Sequence, residues 1–178
     1  MRVKSDMDSR RGQSLVELAI ILPILITLLL GMVELVNIGR TYLALLDTSY
    51  QGAHLGSQGI KLYDNTKIYT LVTQDLTNKG YNTSNLIDVF IIRAKLDGGT
   101  TINNYSVGNP TMKGSGEAPI LGLGVLQGRL TSADPPNSRL IAVEIYYKYQ
   151  YIFPWPKIKG LLPDPFPLRA YTIQYSPR

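Results

Sequence analysis

Cysteine is absent from this chain, which excludes disulfides, thiolate metal sites and cysteine nucleophiles in any redox compartment. A domain built from it must hold together by packing. Histidine occurs once, at His54, with no second ligand at helical spacing, so it reads as structural or exposed and no metal site is expected. The GxSxG, HExxH and GxxxxGK patterns of esterases, zinc proteases and phosphate loops are missing. No nucleophile, base and orienting group can be assembled, so no catalytic residue is assigned and the chain is expected not to be an enzyme. Asp134, Asp164 and Glu144 read as isolated carboxylates, and no run spaces oxygen ligands as an EF-hand does, which leaves calcium in the loops without positive support. Gly122 and Gly124 flank Leu123 without the strand-to-helix setting or the later acid of a dinucleotide site, so no cofactor is expected.

Charge is scarce as well, at 17% against 44% apolar residues, partly because of one continuous apolar block near the start. The net charge of +5 is concentrated: Arg2, Lys4, Arg10 and Arg11 against Asp6 and Asp8 leave +2 in the first twelve residues. The other basic residues are scattered and form no stripe or module, so no nucleic-acid partner is expected. The first forty residues of the 178 differ from the rest, which leaves roughly 120 to 140 residues for one domain.

The apolar block, LAIILPILITLLLGMV from Leu18 to Val33, carries no charge. Counted from Gln13 to Val33, a helix would be roughly 31 Å long, the hydrocarbon thickness of a bilayer. Arg10 and Arg11 precede it directly, whereas Glu34 follows it and the next basic residue is Arg40. This asymmetry predicts a cytoplasmic N-terminus. A secretory signal fits poorly, because Glu34, Asn37 and Arg40 follow without a small-x-small cleavage site and the helical pattern continues. A plain single-pass anchor leaves Glu17 unexplained, since an ionisable group inside an apolar span costs about 3 kcal/mol unless it finds a partner or reaches the interface.

Arg10-Arg11-Gly12-Gln13-Ser14-Leu15-Val16-Glu17 supplies basic residues, a glycine, a glutamate five residues later and then the apolar run. This resembles the processing region of class III prepilins, and the longer stretch RRGQSLVELAIILPILITLLLGMVELVNIGRTY resembles the TadE-like branch of the Tad (tight adherence) pilus system. The resemblance implies cutting between Gly12 and Gln13 by a prepilin peptidase on the cytoplasmic face. It also implies assembly through Glu17 and Pro23. Glycine before the cut leaves room for a membrane-embedded protease. A freed α-amino group, on the same chain or a neighbour, can neutralise Glu17, although a glutamate snorkelling to the interface is the open alternative. Pro23 removes one helical hydrogen bond mid-span and invites a kink, with or without a role in assembly.

Beyond the span, Leu35, Ile38, Tyr42, Leu45, Leu46, Ser49, Tyr50 and Ala53 keep three- and four-residue spacing, which predicts a helix to about Ser57 with its apolar side on the domain. Gly52 and Gly56 read either as a patch for close packing or as fraying before a cap at Gly59. A second helix is predicted over Asn65 to Asn78, stopped by Lys79 and Gly80. Period-two stretches follow at Asp88 to Leu96, Thr100 to Val107, Arg139 to Phe153 and Leu168 to Tyr175, the third with one buried face. Asp97-Gly98-Gly99 reads as a turn, Asn109 to Asn137 as a long irregular excursion, and Pro154 to Pro167 as a proline-rich loop. Within the excursion, Ile120 to Leu126 reads as a buried turn or a partner surface.

The expected fold is therefore α+β and pilin-like, a long transmembrane-plus-amphipathic helix packed on a small antiparallel sheet. Its expected parts are a leader at 1–12, a membrane and assembly helix at 13–33, the helix continuation at 34–60 and an outer α+β domain at 61–178. The resemblance implies a minor pilin or pseudopilin in the cytoplasmic membrane or in a pilus, serving adhesion or secretion. Its implied partners are the prepilin peptidase, other subunits, an inner-membrane assembly platform and lipid. The rival reading is an unprocessed single-pass envelope protein whose outer domain binds a surface or partner.

Overall fold

The leader, the apolar block and the amphipathic stretch after it form α1, a single 54-residue helix at Lys4–Ser57 that takes in Pro23. The computed structural model describes residues 4–58, 65–97, 101–108, 120–121, 125–126, 128–130, 138–153 and 165–176. Helix α2 (Asn65–Asn78) packs beside the upper part of α1 and closes on Gly80, whose φ of +82° suits a residue without a Cβ. Gly80 N–H bonds Thr77 O and Tyr81 N–H bonds Leu76 O, both at 2.9 Å, which is the Schellman closure. The stop expected at Lys79 and Gly80 is therefore where the structure puts it. Lys79 then turns back to Asp47 at 2.7 Å and Asp75 at 2.6 Å, tying α2 to α1. Burial disfavours its ammonium, but the two carboxylates outweigh that and hold its pKa above the ordinary lysine value.

A short 3₁₀ turn at Thr83–Asn85, capped by the Asn82 side chain, leads into the sheet. Its strands are β1 (Leu86–Asp97), β2 (Thr101–Gly108), β3 (Arg139–Tyr149) and β4 (Phe166–Ser176), in the order β2-β1-β3-β4 with every pairing antiparallel. The predicted strands are all present with shifted ends. β3 stops at Tyr149 rather than Phe153, because the next backbone donors go to a side chain of α1. β4 starts at Phe166 and takes in Pro167, tolerated because β4 is an edge strand. The turn at 98–99, the proposed cap Gly59, most of the 109–137 excursion, Asp134 and Asp164 lie outside the described residues.

One face of the sheet packs on the two helices. Val89, Ile91, Val143, Ile145 and Ala170 meet Leu45, Ala53, Ile68, Val72 and Leu76 there. The helical stripe that achieves this is Glu34, Thr41, Leu45, Thr48, Ser49, Gly52, Ala53 and Gly56, with Ile38 partly buried. The expected stripe is thus rotated: Leu35, Tyr42 and Tyr50 are exposed, and small residues replace them because the sheet comes close. A Cβ on Gly56 would overlap Ile141 Cδ1, and one on Gly52 would lie 3.1 Å from Val72 Cγ2, so both glycines serve close packing and not fraying.

The opposite face is also buried, which corrects the expectation of one solvated side. Phe90, Ile92, Ala94, Leu140 and Ala142 are covered by Leu121, Leu126 and Leu130 from the excursion. Of the two readings of 120–126, the buried one holds for Leu121 and Leu126, while Ile120 and Val125 stay exposed. Glu144 holds this cover down. Fully buried mid-strand, it accepts the N–H groups of Ile120 and Leu121 at 3.2 Å and lies 3.6 Å from Arg169, which also stacks over Tyr146. The expected isolated carboxylate is instead a paired one, as a buried charge has to be.

The packing yields a paired prediction. Gly56→Val should destabilise the detergent-solubilised protein by about 1–3 kcal/mol through overpacking against Ile141 and Ile68. Gly39→Ala, where nothing lies within 4 Å of an added Cβ, should be neutral or stabilising by up to about 1 kcal/mol. Thermal unfolding followed by circular dichroism reads both.

Candidate functional site

The residues singled out for processing and assembly all lie on the lower half of α1. Here the helix stands clear of the domain: within the described residues, none of its most apolar stretch is buried. Leu15, Leu18, Ile20, Ile24, Leu28, Leu29 and Met32 are all about half exposed or more, all round the helix. A surface of that kind is stable only against lipid or other apolar helices. Among the described residues, one helix is therefore suited to a single membrane crossing.

Glu17 sits on this apolar wall, exposed, one turn after Gln13. Gln13 Nε2 donates to Glu17 Oε1 at 3.1 Å, so the two residues expected to meet through a freed amine already share one helical face. Gly12 lies within α1, which begins at Lys4, so helix rather than an extended leader precedes Gln13. Pro23 also lies inside α1, which continues through it, and Thr27 Oγ1 donates to the Pro23 carbonyl at 2.8 Å. Glu17 and Pro23 are thus brought into one apolar surface, exposed and clear of the described residues of the sheet domain. His54 is exposed and stacks on Tyr50, with ring centroids 6.1 Å apart.

The residue that sequence reasoning passed over is Glu34. It had served only as the polar flank of the apolar block, yet it is 3% exposed. Its carboxyl accepts Tyr149 O–H at 2.7 Å, Ile152 N–H at 3.2 Å and Phe153 N–H at 3.4 Å. These three donors close the end of β3 onto α1 at the place where the uncharged run ends. The available signal was spacing: Glu34 falls in phase with Ile38, Thr41 and Leu45, so an acid lay on the buried stripe. Burial raises the Tyr149 pKa, and its bond to Glu34 raises it further.

The sign of the resulting pH dependence follows. A phenol whose pKa is higher in the folded chain contributes stability that is complete below its unfolded value of 10.0 and is lost as pH rises toward the folded one. Tyr149→Phe should remove that alkaline loss and lower stability at neutral pH by about 1–3 kcal/mol, since Glu34 is left one donor short. Unfolding midpoints of both proteins at neutral pH and above pH 10.0 check the two effects.

Comparison with known proteins bears on the same stretch. No curated protein and no solved structure matches the chain. A family model, that of TadE-like proteins, matches residues 12–54, from the glycine before Gln13 to His54 in the last turn of α1. It spans the apolar wall, Glu17, Pro23, Glu34 and most of the stripe that carries the sheet. Over residues 12–54 the chain is therefore similar to the TadE-like proteins.

Proposed function

We propose that the chain is a non-enzymatic structural subunit, a minor pilin or pseudopilin, of a Tad-like type IV pilus. A prepilin peptidase cuts it between Gly12 and Gln13, and it assembles through α1 with its N-terminus inside and its sheet domain outside. The observation that carries this reading is Glu17, an acid on the apolar wall one turn from Gln13. Helical side chains lean toward the N-terminus, so the Glu17 carboxyl lies close to where a new α-amino group would appear. That amine would add a full positive charge to the positive end of the helix dipole, and the carboxyl answers both. A neighbouring subunit's amine has the same chemistry, which would set the axial offset between helices. Leaving the leader behind also removes Arg10 and Arg11, the charges that hold the N-terminus at the headgroups. The helix can then be withdrawn from lipid into a bundle, passed on by an assembly platform in the membrane.

One observation favours the rival, an uncut envelope anchor: the Gln13 amide already gives Glu17 a partner without processing. Mass spectrometry of the membrane-extracted chain decides between them. The pilin reading expects a mature protein beginning at Gln13, and a Gly12→Leu variant that keeps its leader. It also expects Glu17→Ala to be cut normally but to lose most of its cross-linking into filaments. Retention of Met1 to Gly12 in the native protein would overturn the reading.

A further inference from the structure

We infer that an uncharged, hydroxyl-lined groove along the solvent side of α2 binds neutral sugar, a short run of pyranose rings. The groove, about 610 Å³ and open to solvent, lies between α2 and the 3₁₀ turn that leads into β1. Thr70, Thr73, Gln74 and Thr77 line it from the helix, and Thr83 and Ser84 from the turn. No charged side chain takes part, so a phosphate, a carboxylate or a metal ion finds no counter-charge there. An apolar ligand would leave these polar groups without partners. What remains is a ligand that is neutral and rich in hydrogen-bonding groups.

The direction of the hydroxyl protons narrows the choice. Thr70 Oγ1 donates to Thr66 O at 2.9 Å, Thr73 Oγ1 to Thr70 O at 2.9 Å, and Thr77 Oγ1 to Thr73 O at 2.8 Å. With those protons turned into the helix, the three oxygens offer only lone pairs to the groove. A row of acceptors calls for closely spaced donors, and a pyranose carries a hydroxyl on most of its ring carbons. Along the helix the three residues lie about 4.5 and 6 Å apart, whereas an extended peptide repeats its N–H on one side only about every 7 Å. Sugar therefore fits the row better than peptide. Tyr69 supplies a flat wall: half-buried, it packs against the core and lines the groove. An amphipathic ring of this kind receives the C–H face of a pyranose and leaves its hydroxyls to the threonines. Gln74, exposed, adds the amide donors that the threonines lack.

Helix propensity points the same way. Thr66, Thr70, Thr73 and Thr77 take four of the 14 positions of α2, although charged residues with better propensity normally fill the outer face of a surface helix. Packing does not ask for them, since Ile68, Val72 and Leu76 attach α2 to the core. The groove is independent of processing and of assembly, which involve the lower half of α1.

Trisaccharides test the site, with the full chain in nanodiscs of phosphatidylcholine, which bring no sugar of their own. Saturation-transfer NMR should show magnetisation passing from the protein to ring protons of cellotriose, maltotriose or chitotriose. Thr73→Val combined with Thr77→Val keeps the side-chain shape, removes two acceptors and should weaken binding about tenfold. Gln74→Ala, at an exposed position, should weaken it about fivefold. Thr66→Val, on the same helix but outside the groove, should leave binding unchanged. Equal unfolding midpoints by circular dichroism show that α2 is intact in each variant. Absence of transfer to all three sugars would overturn the inference. So would transfer that survives the groove variants, or that falls equally in Thr66→Val. A blocked trialanine peptide that binds through Thr73 and Thr77 where the sugars do not would reassign the groove to peptide and overturn it as well.

Discussion

The Glu34 carboxyl is the point on which the geometry of this protein turns. Below it, among the described residues, the most apolar stretch of α1 is uncovered; above it the same helix is covered by α2 and the sheet. A helix this long has no internal reason to divide at one residue. The division follows from three donors converging on one acid, Tyr149 O–H and the Ile152 and Phe153 amides. They end β3, fix the sheet's height on the helix and keep the first polar residue after the apolar block out of both water and oil. Leaving those donors unpaired and buried would be costly, so the domain has strong reason to sit in this one position.

Glu144 repeats the device on the other face of the sheet. It too is buried, and it too closes on two consecutive backbone amides and one side chain, here Ile120, Leu121 and Arg169. A chain without cysteine and with little charge has few ways to fasten irregular segments. Two buried acids, one on α1 and one on β3, do so at opposite faces of the same sheet. Each closes where regular structure gives way to irregular chain, which is where backbone donors would otherwise go unsatisfied. The inner face needs no such device along most of its length, because Gly52 and Gly56 let helix and sheet meet closely enough for packing to suffice.

Much of this was legible in the sequence. The apolar block, the end of α1 at Ser57, the bounds of α2 and the period-two strands follow from composition and periodicity, and the family match falls on the residues that suggested it. What escaped had one cause. Hydrophobic pattern marks buried positions that are large and apolar, whereas this protein also buries Thr41, Thr48, Glu34 and Glu144. Hence the stripe on α1 was read too far round, toward Leu35, Tyr42 and Tyr50, and β3 was given one buried face instead of two. Strand order was beyond reach, since a long excursion between β2 and β3 can return the chain to either edge, and only the pairing of β3 with β1 fixes it. Glu17 was legible because an acid in an apolar run is conspicuous; Glu34 was not, because an acid at the end of one is ordinary.

The absence of cysteine makes the most direct test straightforward, because any introduced thiol is unique. Single cysteines at Ser9, Ile24 and Gln74 can be challenged in intact cells, and again after lysis, with a maleimide that does not cross membranes. A helix that leaves water at Gln13 and returns to it at Glu34, with the domain outside, predicts labelling of Gln74→Cys in intact cells. It predicts labelling of Ser9→Cys only after lysis, and of Ile24→Cys in neither condition. Labelling of Ile24→Cys in the native membrane would contradict the account at its foundation.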